Sequence, residues 1–472
     1  MLNTSFKSLL ILILFQSFLF SQNLDEYIQK NVEDLSIPSL SVSIIENNKQ
    51  AVLKTYNLKE NQETNSSTFV IGSLTKSFTA FSIMQLIEQK KLKLNAPVKE
   101  YLPWFEVKNK NNTKLITIKS LLNQTSGFST YEGLKNFARN TNLETDIKAL
   151  KNTSLTSKPN ERFMYSNINY QILGLLIEKV SAMSYSAYLK KNIFEPLGMS
   201  NTVTSKNEAK SLAKGYRTWF GFNVEEEFES NKSMLPAGYI ISNIEDMSKY
   251  ILMVLNKGTY DRKTLVSKES FSMILNEAFP IVKDEFFYSF GWFISDDKYG
   301  LKLNHMGAAE NYMSSIIIDP IKKDAILILH NKMTFTINTN NINALALNIM
   351  LNHKGLKPKE NTFHISEYWG YIILSLLFLL QIFFIYRFIK KVKENKSEKV
   401  SILKRFILPI FIDIIIVAFL LILPSIYHLN LSAFKLFTPD LGYMIYAIIF
   451  ITFISMILRT LYIMKDSNKE EV

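Results

Sequence analysis

The hydrophobic pattern of the chain changes character twice. A first apolar run covers residues 9–20, after Met1-Leu2-Asn3-Thr4-Ser5-Phe6-Lys7 and before Ser21-Gln22-Asn23. One basic residue, about a dozen apolar residues and a small residue at the end predict a secretory signal peptide over 1–21. From 22 to 360 the apolar positions come in short periodic segments, with no internal repeat and no low-complexity linker. Leu40-Ser41-Val42-Ser43-Ile44-Ile45 alternates as a strand does. Residues 51–58 read as its partner across the polar turn Glu46-Asn47-Asn48-Lys49. Helical spacing covers 73–90, 169–191 and 246–256. Two apolar runs, 313–318 and 325–330, flank Asp319-Pro320-Ile321-Lys322-Lys323-Asp324 in a hairpin pattern. Strands at both ends with helices between predict an α/β (α+β) sheet domain interrupted by a helical insertion.

The C-terminal quarter is different. Three segments, 366–388, 406–427 and 441–464, are apolar and long enough to cross a bilayer, which takes about 20 residues of helix. The connection 389–405 carries Lys390, Lys391, Lys393, Lys396, Lys399, Lys404 and Arg405, whereas the next connection carries only Lys435. Basic loops stay cytoplasmic. The pattern therefore predicts a multi-pass protein of the cytoplasmic membrane. The domain 22–360 lies on the periplasmic or extracellular side and the C-terminus lies inside. Asp413 falls within the second span, about two turns from its cytoplasmic end, and is expected to snorkel toward the interface.

Composition removes several chemistries. The sequence has no cysteine, so disulfides, thiolate metal sites and cysteine nucleophiles are out. None of the five histidines pairs at metal-ligand spacing, and neither a metal nor a cofactor is expected. The net charge of +12 is concentrated partly in the loop 389–405 and otherwise mixed with acids, so no nucleic-acid partner is expected.

Three short elements carry chemistry. Ser73-Leu74-Thr75-Lys76 is an S-x-x-K motif. On a helix, positions i and i+3 share a face, so hydroxyl and ammonium can meet. Burial can lower the lysine pKa until it helps to remove the serine proton. The same spacing recurs at Ser211/Lys214, Ser295/Lys298, Ser401/Lys404 and Ser432/Lys435. Only Ser73 follows an apolar strand and a glycine and opens a strong helix. Tyr165-Ser166-Asn167 supplies a phenol that a nearby cation could activate and an amide that could hold a substrate or Lys76. His305-Met306-Gly307 places a glycine where a substrate backbone could approach, with the N–H of Ala308 as a candidate oxyanion donor. His353-Lys354-Gly355 has the same pattern but lies after a helical stretch and before a Lys/Pro/Asn-rich segment.

Read together, these elements resemble the serine β-lactamase-like family of class C β-lactamases, penicillin-binding proteins, D-aminopeptidases and related esterases. The likeness extends through Phe69–Ala80, through 116–127 with Asn123-Gln124-Thr125-Ser126-Gly127, through Phe194-Glu195-Pro196-Leu197-Gly198-Met199, and through Pro236-Ala237-Gly238. It implies a β-lactamase/transpeptidase-like fold, an antiparallel sheet flanked by helices with an all-helical lobe. It implies Ser73 as the acylated nucleophile, Lys76 and Tyr165 as its proton managers, and Asn167, His305 and Gly307 at the substrate. The N–H groups of Ser73 and Ala308 would form the oxyanion hole. His305 and Met306 stand where class C enzymes carry lysine and threonine, which turns the expectation from β-lactams toward peptides, amides and esters. Glu310 follows where small residues are usual, and could repel a substrate carboxylate or bind an amine. The expected activity is acyl-enzyme hydrolysis of a small peptide, ester or cell-wall-derived substrate beside the lipid bilayer. A membrane sensor acylated without turnover and a binding protein with an inactive site carry the same motifs.

Overall fold

A computed structural model describes residues 24–470 apart from 60–61, 136–140, 228, 230, 298–299, 334–339, 360–365, 394–407, 428 and 430. The signal peptide expected over 1–21 and most of the basic loop expected over 389–405 lie outside the described residues. The chain forms two compact units, one carried by the residues before Asn361 and one mainly by those from Thr362 on.

The first unit is built on an eight-stranded sheet. Its strands in chain order are β1 (Ser39–Glu46), β2 (Lys49–Asn57), β3 (Phe279–Val282), β4 (Phe286–Ser289), β5 (Trp292–Asp297), β6 (Gly300–Ala308), β7 (Met313–Asp319) and β8 (Asp324–His330). They lie in the order β2-β1-β8-β7-β6-β5-β4-β3, and every neighbouring pair is antiparallel. The expected hairpins β1–β2 and β7–β8 are present. The sequence pattern missed β3, β4 and β5, whose aromatic residues do not alternate cleanly with polar ones. The pairing of β1 with β8 closes the sheet across most of the chain: Ile44 faces Ile326 and Val42 faces Ile328. β1 and β8 are buried along almost their whole length, as expected of strands covered on both faces by helices.

Between β2 and β3 lies the helical insertion. Helix α1 (Thr75–Glu88) has buried residues from Thr75 through Leu86, so no face of it is left for solvent. Such a helix must satisfy its hydroxyls internally. Thr79 Oγ1 donates to the carbonyl of Pro236 at 2.7 Å, and Ser82 Oγ to that of Phe78 at 3.0 Å. Against it pack α2 (Asn167–Ser181) and the short helix α3 (Leu235–Gly238). Helix α4 (Ile244–Leu255) starts at an N-cap in which Asn243 accepts the N–H of Asp246. It covers the sheet, with Ser248 Oγ 2.8 Å from Ser43 Oγ. Helix α5 (Asn340–His353) also lies against the sheet, where Ser315 Oγ donates to Asn343 Oδ1.

Among the described residues the second unit contains three helical segments long and apolar enough to cross a membrane: Trp369–Lys393 within α6 (Ser366–Lys393), Leu408–Ile426, which is α7 (Leu408–Ile422) extended by a 3-10 turn, and Pro439–Tyr462 within α8 (Pro439–Glu470). Asp413 on α7 does not snorkel. It is buried, accepting from Gln381 Nε2 of α6 at 3.3 Å and from Ser455 Oγ of α8 at 3.0 Å, with Arg459 Nε at 3.8 Å. Helix packing brings polar partners to the carboxylate, so it has no need to reach for water.

Candidate active site

The site is assembled from four chain segments. Phe69–Val70 pairs with Ile241–Ser242, and the Ile71 N–H donates to the Ile240 carbonyl. The chain then turns sharply. Gly72 has φ +54°, and a Cβ there would lie 2.4 Å from the Ala308 nitrogen. A side chain would therefore be strained by conformation and blocked by β6. Gly307 is held as tightly from the other side: a Cβ would meet the Ile71 carbonyl oxygen at 2.1 Å. These two glycines let the Ile71–Ser73 backbone lie directly on the end of β6. The interlock is fixed by Ser314 Oγ, which donates to the Ile71 carbonyl at 2.8 Å.

Ser73 lies in a single 3-10 turn, Gly72–Leu74, and the α-helix proper begins at Thr75. Ser73 is half-buried, whereas Lys76 one turn later is fully buried. Lys76 Nζ lies 3.0 Å from Ser73 Oγ, 2.8 Å from Asn167 Oδ1 and 2.6 Å from the Ala237 carbonyl. Burial holds the Lys76 pKa well below its ordinary value. The geometry suits either protonation state. An ammonium fills all three acceptors. A neutral amine donates to Asn167 and Ala237 and accepts the Ser73 proton on its lone pair.

Tyr165 closes the other side. Its ring centroid lies 4.9 Å from Lys76 Nζ. Burial, with Tyr288 beside it, pushes the phenol well above its usual range. A phenolate is therefore disfavoured, and the group that burial drives toward its basic form is Lys76. The Tyr165-Ser166-Asn167 segment is pinned from several directions. Thr130 Oγ1 donates to the Tyr165 carbonyl at 2.6 Å, and the Ser166 N–H donates to Gln124 Oε1 at 2.9 Å. Gln124 also accepts from Asn169 Nδ2, whose Oδ1 accepts from Ser126 Oγ.

His305 is buried on β6 among Tyr165, Tyr288 and Phe293, with ring centroids at 6.1, 6.2 and 5.3 Å. Its Nδ1 donates to the Met306 carbonyl at 2.6 Å, and its pKa is pushed down to about 3 by burial and by the neighbouring Lys76 charge. It is a neutral ring whose Nε2 has no hydrogen-bond partner among the described residues. Three residues after His305, Ala308 is half-buried at the end of β6, its nitrogen against Gly72.

The structure thus joins Ser73, Lys76 and Asn167 by hydrogen bonds, sets the Tyr165 ring beside Lys76, and places Gly307 and Ala308 against the entry turn of this group. His305 reaches the group through its contact with the Tyr165 ring. The rival His353-Lys354-Gly355 sits at the end of α5, where His353 Nε2 lies 3.4 Å from Glu46. Among the described residues no cluster of His, Asp and Glu suits a metal ion. Ala237 as an acceptor for Lys76, Gln124 and Thr130 as supports, and Phe293 beside His305 were not assigned roles from sequence. Only the matched strings 116–127 and Pro236-Ala237-Gly238 marked two of those places.

Comparison with known proteins gives the family. The Beta-lactamase family model matches residues 24–348. This chain belongs to the beta-lactamase family. Among relatives of this beta-lactamase-family chain is Protein flp of Staphylococcus aureus, 30 % identical over 321 residues. That match covers 66 % of this chain and 63 % of the relative, so it leaves over a third of the relative's length unmatched. Teichoic acid D-alanine hydrolase of Staphylococcus aureus is 32 % identical over 201 residues, 41 % of this chain and 47 % of that protein. The octameric penicillin-binding protein homologue from Pyrococcus abyssi superposes with a TM-score of 0.60 at 25 % identity, covering 75 % of this chain and 81 % of that one. A D-stereospecific amidohydrolase from Streptomyces shares the fold, with a TM-score of 0.55 at 19 % identity over 64 % of this chain and 93 % of that one. The fold is thus the mixed α/β β-lactamase/transpeptidase-like one expected from sequence.

Proposed function

We propose that this chain is a membrane-anchored serine hydrolase that cleaves D-aminoacyl esters or amides on the outer side of the cytoplasmic membrane. The observation that carries the reading is the contact of buried Lys76 Nζ with Ser73 Oγ. Lys76 as a free amine removes the Ser73 proton while Oγ attacks the substrate carbonyl. The oxyanion is met by the N–H groups of Ser73 and Ala308. Tyr165, whose ring lies beside Lys76 Nζ, passes its proton to the leaving alcohol or amine as the tetrahedral intermediate collapses and is reprotonated with the Ser73 proton that Lys76 took up. Asn167 holds Lys76 in place and offers its amide N–H to the substrate. Water then attacks the acyl-enzyme by the same route in reverse, freeing Ser73 and the acid. No step calls for a metal or cofactor.

Neutral His305 and Met306 present no fixed positive charge for a substrate carboxylate, which favours aminoacyl esters and amides over β-lactams. The relative named for D-alanine hydrolysis points to the same substrate class. The test is hydrolysis of D-alanyl and L-alanyl p-nitroanilides and esters by the full-length protein in detergent. Turnover with a D preference that vanishes in Ser73→Ala supports the reading. A single acylation without turnover would instead make the chain a sensor.

A further inference from the structure

The oxyanion-donor segment is followed at once by a turn, 309–312, closed by the Ala309 N–H donating to the Tyr312 carbonyl at 2.9 Å. Its four residues are all buried. Three consecutive side chains tie it to three other segments. The Tyr239 hydroxyl donates to Glu310 Oε1 at 2.8 Å. Asn311 Oδ1 accepts from Arg217 Nε at 2.8 Å, and its Nδ2 donates to the Glu226 carbonyl. The Tyr312 hydroxyl donates to the Ala213 carbonyl at 2.7 Å.

The Tyr239 end of this arrangement bears on the nucleophile. Tyr239 stands two residues after Ala237, whose carbonyl accepts from Lys76. The intervening Gly238 packs on the backbone of Gly72, where a Cβ would lie 3.8 Å from the carbonyl carbon. One hydrogen bond thus joins the segment that anchors Lys76 to the segment that presents the Ala308 N–H. Glu310 is ill-placed to meet a substrate, because its second oxygen is buried and without a hydrogen-bond partner among the described residues. The amine-binding role considered from sequence would need that oxygen within reach. Burial also pushes the Glu310 carboxyl up, against the opposing charge of Arg217, with Glu226 adding to the rise.

We propose that the Tyr239–Glu310 hydrogen bond is a positioning latch. It holds the Ala308 donor in register with Ser73 and thereby sets the rate of acylation without touching substrate. This inference rests on the reading of Ser73 as the nucleophile. An oxyanion donor helps only where the charge develops, and a displacement of about 1 Å costs up to about a hundredfold in rate.

The test uses the full-length protein in detergent and the variants Tyr239→Phe, Glu310→Ala and Glu310→Gln. The limiting rate of acylation by a fluorophosphonate is measured, with the concentration that half-saturates it and the thermal midpoint of each protein. The latch predicts a fall of about tenfold or more in limiting rate for Tyr239→Phe and Glu310→Ala, with half-saturation within about twofold. Glu310→Gln keeps an acceptor for Tyr239 and retains the parent rate. Thermal midpoints that fall while all four rates stay equal would overturn the latch and leave a purely structural pair. Should Glu310→Ala not fold, Tyr239→Phe, which removes a single oxygen, decides the matter against Glu310→Gln. A parent protein that forms no adduct at Ser73 would overturn the nucleophile reading and the latch with it.

Discussion

Lys76 bears most of the chemistry, and its burial sets the sign of the pH dependence. The free amine is the base. Below the lowered Lys76 pKa the amine is protonated, so acylation should fall as pH falls through that value and level off above it. Stopped-flow acylation across pH would show it, and a profile flat in pH would contradict the base assignment. Lys76→Ala should cost roughly 100- to 10,000-fold in acylation rate, the usual range for a lost general base. Tyr165→Phe keeps the ring packing and removes the proton donor. Its cost should be larger on an anilide, whose leaving group needs a proton, than on a p-nitrophenyl ester, which does not. Equal losses on both would remove Tyr165 from that role. Gly72→Ala should destabilise the fold by about 1–3 kcal/mol through strain alone, and more through collision with β6; thermal unfolding measures it.

Elements differ in how much of themselves the sequence discloses. The β1–β2 and β7–β8 hairpins were legible because apolar alternation and polar turns are local signals. The β1–β8 pairing was not, since no local pattern in Leu40–Ile45 names its partner. The S-x-x-K motif was legible as a spacing, yet its distinguishing feature is three-dimensional. Lys76 meets Asn167 and Ala237, which lie 91 and 161 positions away along the chain. The membrane helices show the same limit. Their spans were readable from apolar length, but Asp413 was read as snorkelling because its partners Gln381 and Ser455 lie on other helices. That cluster yields its own prediction. Asp413→Leu leaves Arg459 buried beside a lost partner and should destabilise the three-helix unit by about 1–2 kcal/mol. Asp413→Leu with Arg459→Leu should recover most of the loss. Thermal unfolding in detergent would register both, and a double variant no better than the single would show that the pair is not coupled.

At the scale of the whole molecule, a beta-lactamase-family unit is joined to three apolar helices in one chain. We propose that the hydrolase unit faces outward and the basic loop inward, from the excess of lysine and arginine between the first two spans. The absence of cysteine makes this simple to test. A cysteine at exposed Lys263 should react with an impermeant maleimide in intact cells, and one at Lys396 should react only after lysis. The reverse pattern would invert the topology.

The central claim is that Ser73 is an activated nucleophile that turns over. The most direct measurement is the intact mass of the purified full-length protein over time, after a fluorophosphonate and separately after a D-alanyl ester, beside Ser73→Ala. The account predicts a stable phosphonyl adduct and a transient D-alanyl adduct on the parent, and neither on the variant. Absence of both adducts from the parent, or an equal adduct on Ser73→Ala, would contradict it.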